Sequence, residues 1–297
     1  MQRIGELAAF STAVCWTLAA IFFERGIKRI GVLAVNFIKV IIAFVLLTIT
    51  ALIQRGMPLP FDAQPHTVIF LSLSGIIGFV ISDIFLFTAY GTVGPRITML
   101  FLALSPPSTA GIAYLFLGEN LGSRGVLGMS LVITGICITV FGRHKGFSIS
   151  KLNKEDIRGY LCAFAASLGQ SVGLTLTKYG LGNYDPVSGT QIRVFSAIIG
   201  FGLVSLIYEK GKTLGKAIKN IDGIKYTAAG AVFGPYLGVT LSLFALQRVS
   251  PGIVSTLIGL SPVLIIVPET LVFKKKIQII EIAGALIAVT GTSIFFL

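Results

Sequence analysis

Charged residues are scarce in this chain of 297 residues, where Asp, Glu, Lys and Arg together make up only 12%. A soluble globular chain carries about a quarter of such residues, so these charges are too few to cover a folded surface in water. Apolar residues make up 54% of the chain, and the mean hydropathy is +0.90. Lipid is therefore the predicted solvent for most of the surface.

Residue types that catalysis, metal binding and disulfide bonding require are also few. The chain has two histidines, His66 and His144, and its three cysteines all fall inside apolar runs. It contains no HExxH, P-loop or Gly-x-Ser-x-Gly sequence. We therefore expect no enzyme activity, no metal, no cofactor and no disulfide framework.

Apolar runs of about 20 residues, the length that crosses a bilayer as a helix, follow one another along the chain. They do not show the short alternating pattern of a transmembrane β-barrel. The predicted fold is an all-α polytopic membrane protein with ten transmembrane helices. The predicted spans are residues 4–23, 32–54, 67–90, 95–117, 125–142, 157–178, 187–208, 226–246, 251–273 and 277–296.

The two halves of the chain repeat each other. A shift of 156 residues places Gly78 on Gly234, Pro95 on Pro251 and 104–106 on 260–262, and gives thirteen identities over positions 78 to 141 without a gap. The earlier part of each half matches at a shift of 154, which places Lys39 on Arg193. The predicted organisation is a five-helix unit (residues 1–142), a basic cytoplasmic linker (143–156) and a second five-helix unit (157–297).

An odd number of spans in each unit starts the second copy on the opposite membrane face. The two copies are therefore expected to be inverted, an architecture that supports alternating access to a site at the membrane midplane. This is the strongest indication from the residues alone that the protein is a transporter.

The net charge of +12 comes from Lys and Arg residues that lie mostly between the apolar runs. They are placed to meet lipid headgroups, so no nucleic-acid partner is expected. One membrane face carries 17 of them and the other carries five. Basic residues favour the cytoplasmic side, so both termini are predicted on the outer face, in a cell (inner) membrane.

The combined pattern resembles the drug/metabolite transporter superfamily, and specifically its EamA-type members. Three features carry the resemblance. They are the sequence "SPPSTAGIAYLFLGENL…GMSLVITGICITVFG", which begins around the proline of the fourth span, the sequence "AVCWTLAAIF" in the first span, and the repeat itself. It covers essentially the whole chain. It implies ten helices around a central cavity and the movement of small metabolites without ATP.

Two prolines lie near the middle of equivalent spans, Pro106 in the fourth and Pro262 in the ninth. Each removes a backbone donor and leaves carbonyl groups one turn back unpaired. In hydrocarbon such groups are satisfied by neighbouring helices or by a water-lined cavity. Contact with a central cavity is therefore the functional interpretation, and a packing kink is the alternative.

Lys39, Asp83 and Arg193 lie inside the predicted spans and away from their ends, where each charge costs roughly 2.5–3.5 kcal/mol or more. Lys39 and Asp83 are predicted at similar depth, roughly 10 Å from the inner face, so they could pair. The hypothesis is that this pair gates the protein or couples it to protons, and that Arg193 attracts an anionic substrate group. The alternative is a static ion pair plus an arginine that extends to the outer surface.

Polar and aromatic residues at helical spacing complete the candidates for the cavity lining, with packing as the alternative role. They are Trp16, Asn36, Tyr90, Gln170, Gln191 and Tyr236.

The leading functional prediction is a secondary transporter of a small polar metabolite, such as an amino acid or a related compound, with protons considered as the coupling ion. A sugar-phosphate or nucleotide-sugar carrier is the alternative within the superfamily, with Lys39 and Arg193 holding phosphate. A membrane-embedded enzyme or a non-transporting sensor is the alternative from another class. The protein is expected to be a monomer or a weak homodimer in the bilayer.

Overall fold

The fold is known from a computed structural model of the chain. It describes residues 2–105, 107–108, 123–143, 153–209, 215, 217–249, 254, 257–271, 274 and 278–296. Every regular element among these residues is helical. Pro106, one of the two candidate prolines, lies outside the described residues.

The helices are numbered here in chain order. Most of their bounds lie within three residues of the predicted spans, but α1 extends seven residues past its predicted end and α8 begins five residues before its predicted start. They are α1 (Gln2–Ile30), α2 (Val32–Arg55), α3 (Pro65–Thr92), α4 (Pro95–Leu102), α5 (Ser123–Arg143), α6 (Lys154–Leu181), α7 (Pro186–Glu209), α8 (Ile221–Leu246), α9 (the two pieces Ser261–Leu264 and Ile266–Leu271) and α10 (Ile279–Phe296).

Seven of these helices, α1, α2, α3, α5, α6, α7 and α8, are long and apolar enough to cross a membrane. Helix α10 and the segment Ser261–Thr270 are shorter apolar helices. Helix α4 ends at Leu102 with its C-cap at Ala103, and residues 106 and 109–117 of the predicted fourth span lie outside the described residues. The prediction of an all-α membrane protein is confirmed, and the number of ten spans stays a prediction.

The two repeats pack on each other with two-fold symmetry. Helix α1 packs on α8, and its repeat counterpart α6 packs on α3. A Cβ atom on Gly5 would lie 2.2 Å from Val249, and one on Gly159 would lie 2.5 Å from Val93. The repeat relates Gly5 to Gly159 and Val93 to Val249, so these two contacts are equivalent. Each half therefore makes the same contact with the other half, as two-fold symmetry requires.

Equivalent helices of the two repeats run in opposite directions. In the α5–α10 pair, a Cβ on Gly135 would lie 2.4 Å from the Gly284 carbonyl oxygen, and one on Gly291 would lie 2.7 Å from that of Gly128. The same order holds between α2 and α7, where the rings of Phe44 and Phe195 lie 5.7 Å apart and Arg55 bonds Ser188.

Helices α2 and α7, like α5 and α10, are repeat counterparts that are long or apolar enough to lie in the membrane. Since each pair is antiparallel, the second repeat is inverted relative to the first. The inversion expected from the odd number of spans is therefore present in the fold.

Helices α3 and α8 each contain a π-helical segment, at Ile76–Ile81 and Val232–Gly238. The two segments begin at equivalent positions, 156 residues apart, next to the aligned glycines Gly78 and Gly234. A π-helical turn changes the backbone hydrogen-bond pattern inside a helix and is frequent at functional sites. Irregular backbone was expected at Pro106 and Pro262, and the residue pattern did not predict these two π-helical segments.

Pro262 lies in the first turn of the short helix Ser261–Leu264 and is buried. At that position the missing N–H group interrupts no helical hydrogen bond. The break in α9 after Leu264 separates this piece from Ile266–Leu271. Pro262 therefore begins a helical piece instead of bending a continuous helix at its middle.

Candidate functional site

A buried ion pair joins the first repeat's α2 and α3. Lys39 Nζ lies 2.5 Å from Asp83 Oδ2, and the side chains are only 3% and 6% exposed. The pairing expected from their similar depth is present. Burial of two charges in hydrocarbon costs several kcal/mol per ion, which close contact and further hydrogen bonds must offset.

Asp83 lies two residues after the π-helical segment of α3, and a polar side chain from the other repeat contacts it. Gln170 of α6 donates from Nε2 to Asp83 Oδ1 at 3.3 Å and to the carbonyl oxygen of Gly78 at 3.2 Å. The close packing of α6 on α3 permits these bonds, since a Cβ on Gly173 would lie 2.8 Å from Gly78 Cα. One amide therefore links the π-helical backbone to the carboxylate.

Aromatic rings surround the ammonium group of Lys39. Its Nζ lies 3.8 Å from the ring centroid of Phe87, 5.6 Å from that of Phe23 and 5.9 Å from that of Phe201. Such cation–π contacts contribute about 2 kcal/mol when the cation is desolvated. Lys39 is thus held by a carboxylate and by the rings of three helices.

Arg193 of α7 is the third buried charge, and its guanidinium lies over the ring of Phe79 at 4.6 Å. A Cβ on Gly75 would lie 2.3 Å from the Arg193 carbonyl oxygen, whereas one on Gly78 would lie 3.4 Å from Nη2. Because Gly78 is nearer to Asp83 along α3, the side chain extends toward Asp83. An extension to the outer surface, the alternative considered from the sequence, does not fit this geometry.

Two buried amide side chains on α2 and α7 are only partly satisfied. Asn36 donates to the Val32 carbonyl oxygen at 3.1 Å, and Gln191 donates to Thr48 Oγ1 at 2.9 Å and to the Pro58 carbonyl oxygen at 2.7 Å. The Oδ1 atom of Asn36 and the Oε1 atom of Gln191 have no hydrogen-bond partner among the described residues.

The remaining candidates are spread over the bundle. Tyr90 is buried in α3 with its ring 5.6 Å from that of Phe87, which places it near Lys39. Trp16 packs beside Gly238, and the hydroxyl of Tyr236 lies 2.8 Å from that of Thr50. Asn36, Lys39, Asp83, Tyr90, Gln170 and Arg193 therefore form one group, which we call the central cluster.

The contact between Gln170 and Asp83 in the central cluster has no charged equivalent at the repeat-related position. The counterparts of Gln170 and Asp83 in the other repeat are Trp16 and Val239, which carry no charge. Trp16 packs against Gly238, at the end of the π-helical segment of α8. Its counterpart Gln170 contacts the π-helical segment of α3. Equivalent helix pairs therefore hold a charged side chain in one case and an aromatic side chain in the other.

A second buried ionic group, which was not predicted from the residue pattern, links the repeats near the ends of α4, α9 and α10. Arg96 lies 3.0 Å from Glu281 Oε1 and 3.6 Å from Glu269 Oε2. Both carboxylates are nearly fully buried. The glutamates are far from Arg96 in sequence and have uncharged repeat counterparts, so no local pattern reveals this group.

The opposite membrane face carries another polar group that joins the repeats. Arg55 bonds Asp62 and Ser188, and the Tyr184 hydroxyl donates to Asp62 Oδ1 at 2.9 Å. The hydrogen bond from Tyr184 holds the pKa of Asp62 below its usual value. Partial burial raises the pKa of the Tyr184 hydroxyl.

Among the described residues, no group of three or more His, Cys, Asp or Glu side chains could hold a metal ion. A surface cavity of about 620 Å³ lies at the start of α8, away from the central cluster, and is lined by Lys219, Asn220, Ile221, Asp222 and Lys225.

Comparison with known proteins agrees with this architecture. A solved crystal structure covers 98% of this chain and 95% of its own chain, with a TM-score of 0.66 and 18% sequence identity. At that identity the likeness concerns the fold alone. No curated protein sequence matches the chain significantly.

Two inverted repeats of apolar helices, with charged groups buried between them, define an integral membrane protein of the inverted-repeat transporter class. The model of the EamA-like transporter family matches residues 3–141 and again residues 157–297. The chain therefore belongs to the EamA-like transporter family, within the drug/metabolite superfamily.

Proposed function

We propose that the protein is a secondary transporter that moves a small polar metabolite, such as an amino acid or a related compound, by alternating access. The observation that carries this proposal is the central cluster, which buries two cations and one carboxylate between helices of the two inverted repeats. Burial of this kind in a membrane is costly and generally marks a substrate or ion pathway.

The inverted repeats provide the two conformations, open to one side or to the other, that alternating access requires. Two similar halves can exchange conformations, so that a site between them opens first to one side and then to the other. The polar groups around Arg55 and around Arg96 join the repeats near opposite faces. In this mechanism each group opens when its own side of the protein opens, and the central cluster receives the metabolite between these steps.

The Lys39–Asp83 pair is the proposed gating and proton-coupling element. Protonation of Asp83 would remove its charge and release Lys39, which would then rely on the ring of Phe87. The other groups that face Asp83 are Gln170 on α6 and Arg193 on α7, with Tyr90 about two turns beyond Asp83 on α3.

Counterflow in liposomes tests transport directly. Purified protein in vesicles loaded with an unlabelled metabolite should accumulate the labelled compound against its gradient, and protein-free vesicles should not. A panel of amino acids and related metabolites, first sorted by thermal shift, supplies the substrates. Equilibration of label at the same rate in both kinds of vesicle, for every compound that binds, would contradict transport.

Asp83→Asn tests the coupling role. The variant should lose the dependence of net flux on a pH gradient while it still exchanges labelled for unlabelled substrate. Exposed Asp222, substituted in the same way, serves as the matched control. If Asp83→Asn keeps the pH dependence of the wild type, Asp83 is not the coupling residue.

The sugar-phosphate or nucleotide-sugar alternative uses Lys39 and Arg193 together as a phosphate clamp. It requires that Lys39→Ala and Arg193→Ala each abolish uptake, and it is wrong if neither does. A membrane-embedded enzyme would convert a compound in detergent without vesicles, and a sensor would bind a compound without counterflow.

The proposed location is the cell (inner) membrane, with both termini outside, because the basic residues concentrate on one face. In a cysteine-free background, Lys219→Cys should react with a membrane-impermeant maleimide only after the cells are opened. Met57→Cys on the opposite face should react in intact cells. The reverse pattern would overturn this orientation.

A further inference from the structure

The central cluster carries one more positive than negative charge. Lys39 and Arg193 are both buried there, and Asp83 is the one carboxylate among the described residues that faces them. Asp83 is committed to Lys39 at 2.5 Å and to the amide of Gln170. The excess charge therefore resides on Arg193.

The hydrogen-bonding capacity of Arg193 is largely unused. Among the residues that the structure describes, no carboxylate oxygen lies within 4 Å of its guanidinium, and Nε has no hydrogen-bond partner although it is buried. The ring of Phe79 holds the guanidinium from one face, and Asp83 attracts it from a distance. A buried guanidinium with unused N–H donors can bind an anion through the planar arrangement of those donors.

The available charge limits the kind of anion. A single negative group would bring the cluster to neutrality, since Lys39 and Asp83 already neutralise each other. While Asp83 is ionised, a phosphate dianion would leave the cluster with a net negative charge in hydrocarbon. If Lys39 turned to the phosphate, Asp83 would in addition become an unpaired buried carboxylate. The charge balance therefore favours a carboxylate over a phosphate.

We propose that Arg193 binds the single negative group of the transported molecule, and that the substrate class is small metabolites with one carboxylate group, monocarboxylate anions and zwitterionic amino acids alike. This inference rests on the proposed transport function and narrows its substrate. Lys39 and Asp83 then remain paired while the substrate is bound, and Arg193 determines specificity.

Thermal shift of the full-length protein in detergent tests the substrate class without any variant. The probes are monocarboxylates and L-amino acids, the amides of the same amino acids, and glucose 6-phosphate as a dianion. At least one carboxylate should stabilise the protein, and its amide should bind at least about 10-fold more weakly, because a charge-assisted bond is lost.

Variants at Arg193 then test the residue with the carboxylate that binds best. Arg193→Gln should weaken binding by about 10- to 100-fold, and Arg193→Lys should retain part of it, since lysine keeps the charge without the fork. Arg248→Gln is the matched control, because Arg248 also lies over a phenylalanine ring, that of Phe244 at 3.4 Å, but on the exposed end of α8.

Three results would overturn the inference: binding of the phosphate dianion or of the amide in preference to the carboxylate, no stabilisation by any carboxylate, or equal affinity in Arg193→Gln and the wild type. If Arg193→Gln does not fold, the comparison of carboxylate with amide on the wild type still decides. Counterflow of a metabolite that carries no carboxylate would refute the carboxylate site while it upholds transport. Carboxylate binding without counterflow would support the carboxylate site at Arg193 and contradict transport.

Discussion

Removal of either partner of the Lys39–Asp83 pair should destabilise the protein far more than removal of both. The side chains are 3% and 6% exposed, so either group left alone is a buried charge that water cannot reach. Breaking a buried pair in this way costs about 3–5 kcal/mol. In Asp83→Leu, the ring of Phe87 at 3.8 Å offsets part of the cost, by about 2 kcal/mol.

The double variant Lys39→Met/Asp83→Leu leaves no buried ion and fills similar volume with apolar atoms. Such replacements are often neutral or stabilising, so the double variant should be more stable than either single one. The expected coupling energy between the two positions is about 2 kcal/mol or more. It follows from a double-mutant cycle, in which the free energy of unfolding of the four proteins is measured in mixed micelles at increasing SDS.

The exposed pair of Arg29 and Asp222 supplies the control cycle. Its side chains are 45% and 62% exposed, with the atoms 3.4 Å apart, and solvent screening limits such pairs to less than about 1 kcal/mol. If the buried cycle shows no more coupling than the exposed one, burial does not set the energy of the Lys39–Asp83 pair, and the description of the central cluster is wrong.

Three further predictions concern the packing and the two polar groups that join the repeats. Gly284→Ala should lower stability by about 1–3 kcal/mol, because its Cβ would lie 2.1 Å from Thr139 Oγ1, whereas Gly202→Ala, with its nearest neighbour at 3.7 Å, should be nearly neutral in the same unfolding assay. Arg96→Met should cost about 3 kcal/mol or more, since it removes the cation that lies 3.0 Å from the buried carboxylate of Glu281; a loss below 1 kcal/mol would show that this carboxylate does not depend on Arg96. Tyr184→Phe should destabilise the protein slightly at neutral pH, and the difference from the wild type should vanish as the pH falls below about 4. The lowered pKa of Asp62 favours the folded state only while that carboxylate is ionised, so a difference that persists at low pH would contradict this account.

Much of the fold could be predicted from the residues. Apolar runs, scarce charge and short connections predicted membrane helices, and the bounds of α2, α3, α5, α6, α7 and α10 agree with the prediction to within three residues. The repeat followed from aligned glycines and prolines, and its odd number of spans required inversion. The Lys39–Asp83 pair could be predicted because both charges are costly in lipid and lie at similar depth.

The sequence by itself determined the solvent, the helices and the inverted repeat, because lipid permits few backbone structures and tolerates few charges. Only the tertiary structure decided which groups meet across the repeats. The direction of the Arg193 side chain, the bond from Gln170 to Asp83 and the joining of Arg96 to two distant glutamates depend on how closely the helices approach. Those distances arise from side-chain packing over the whole bundle, which no local pattern of residues contains.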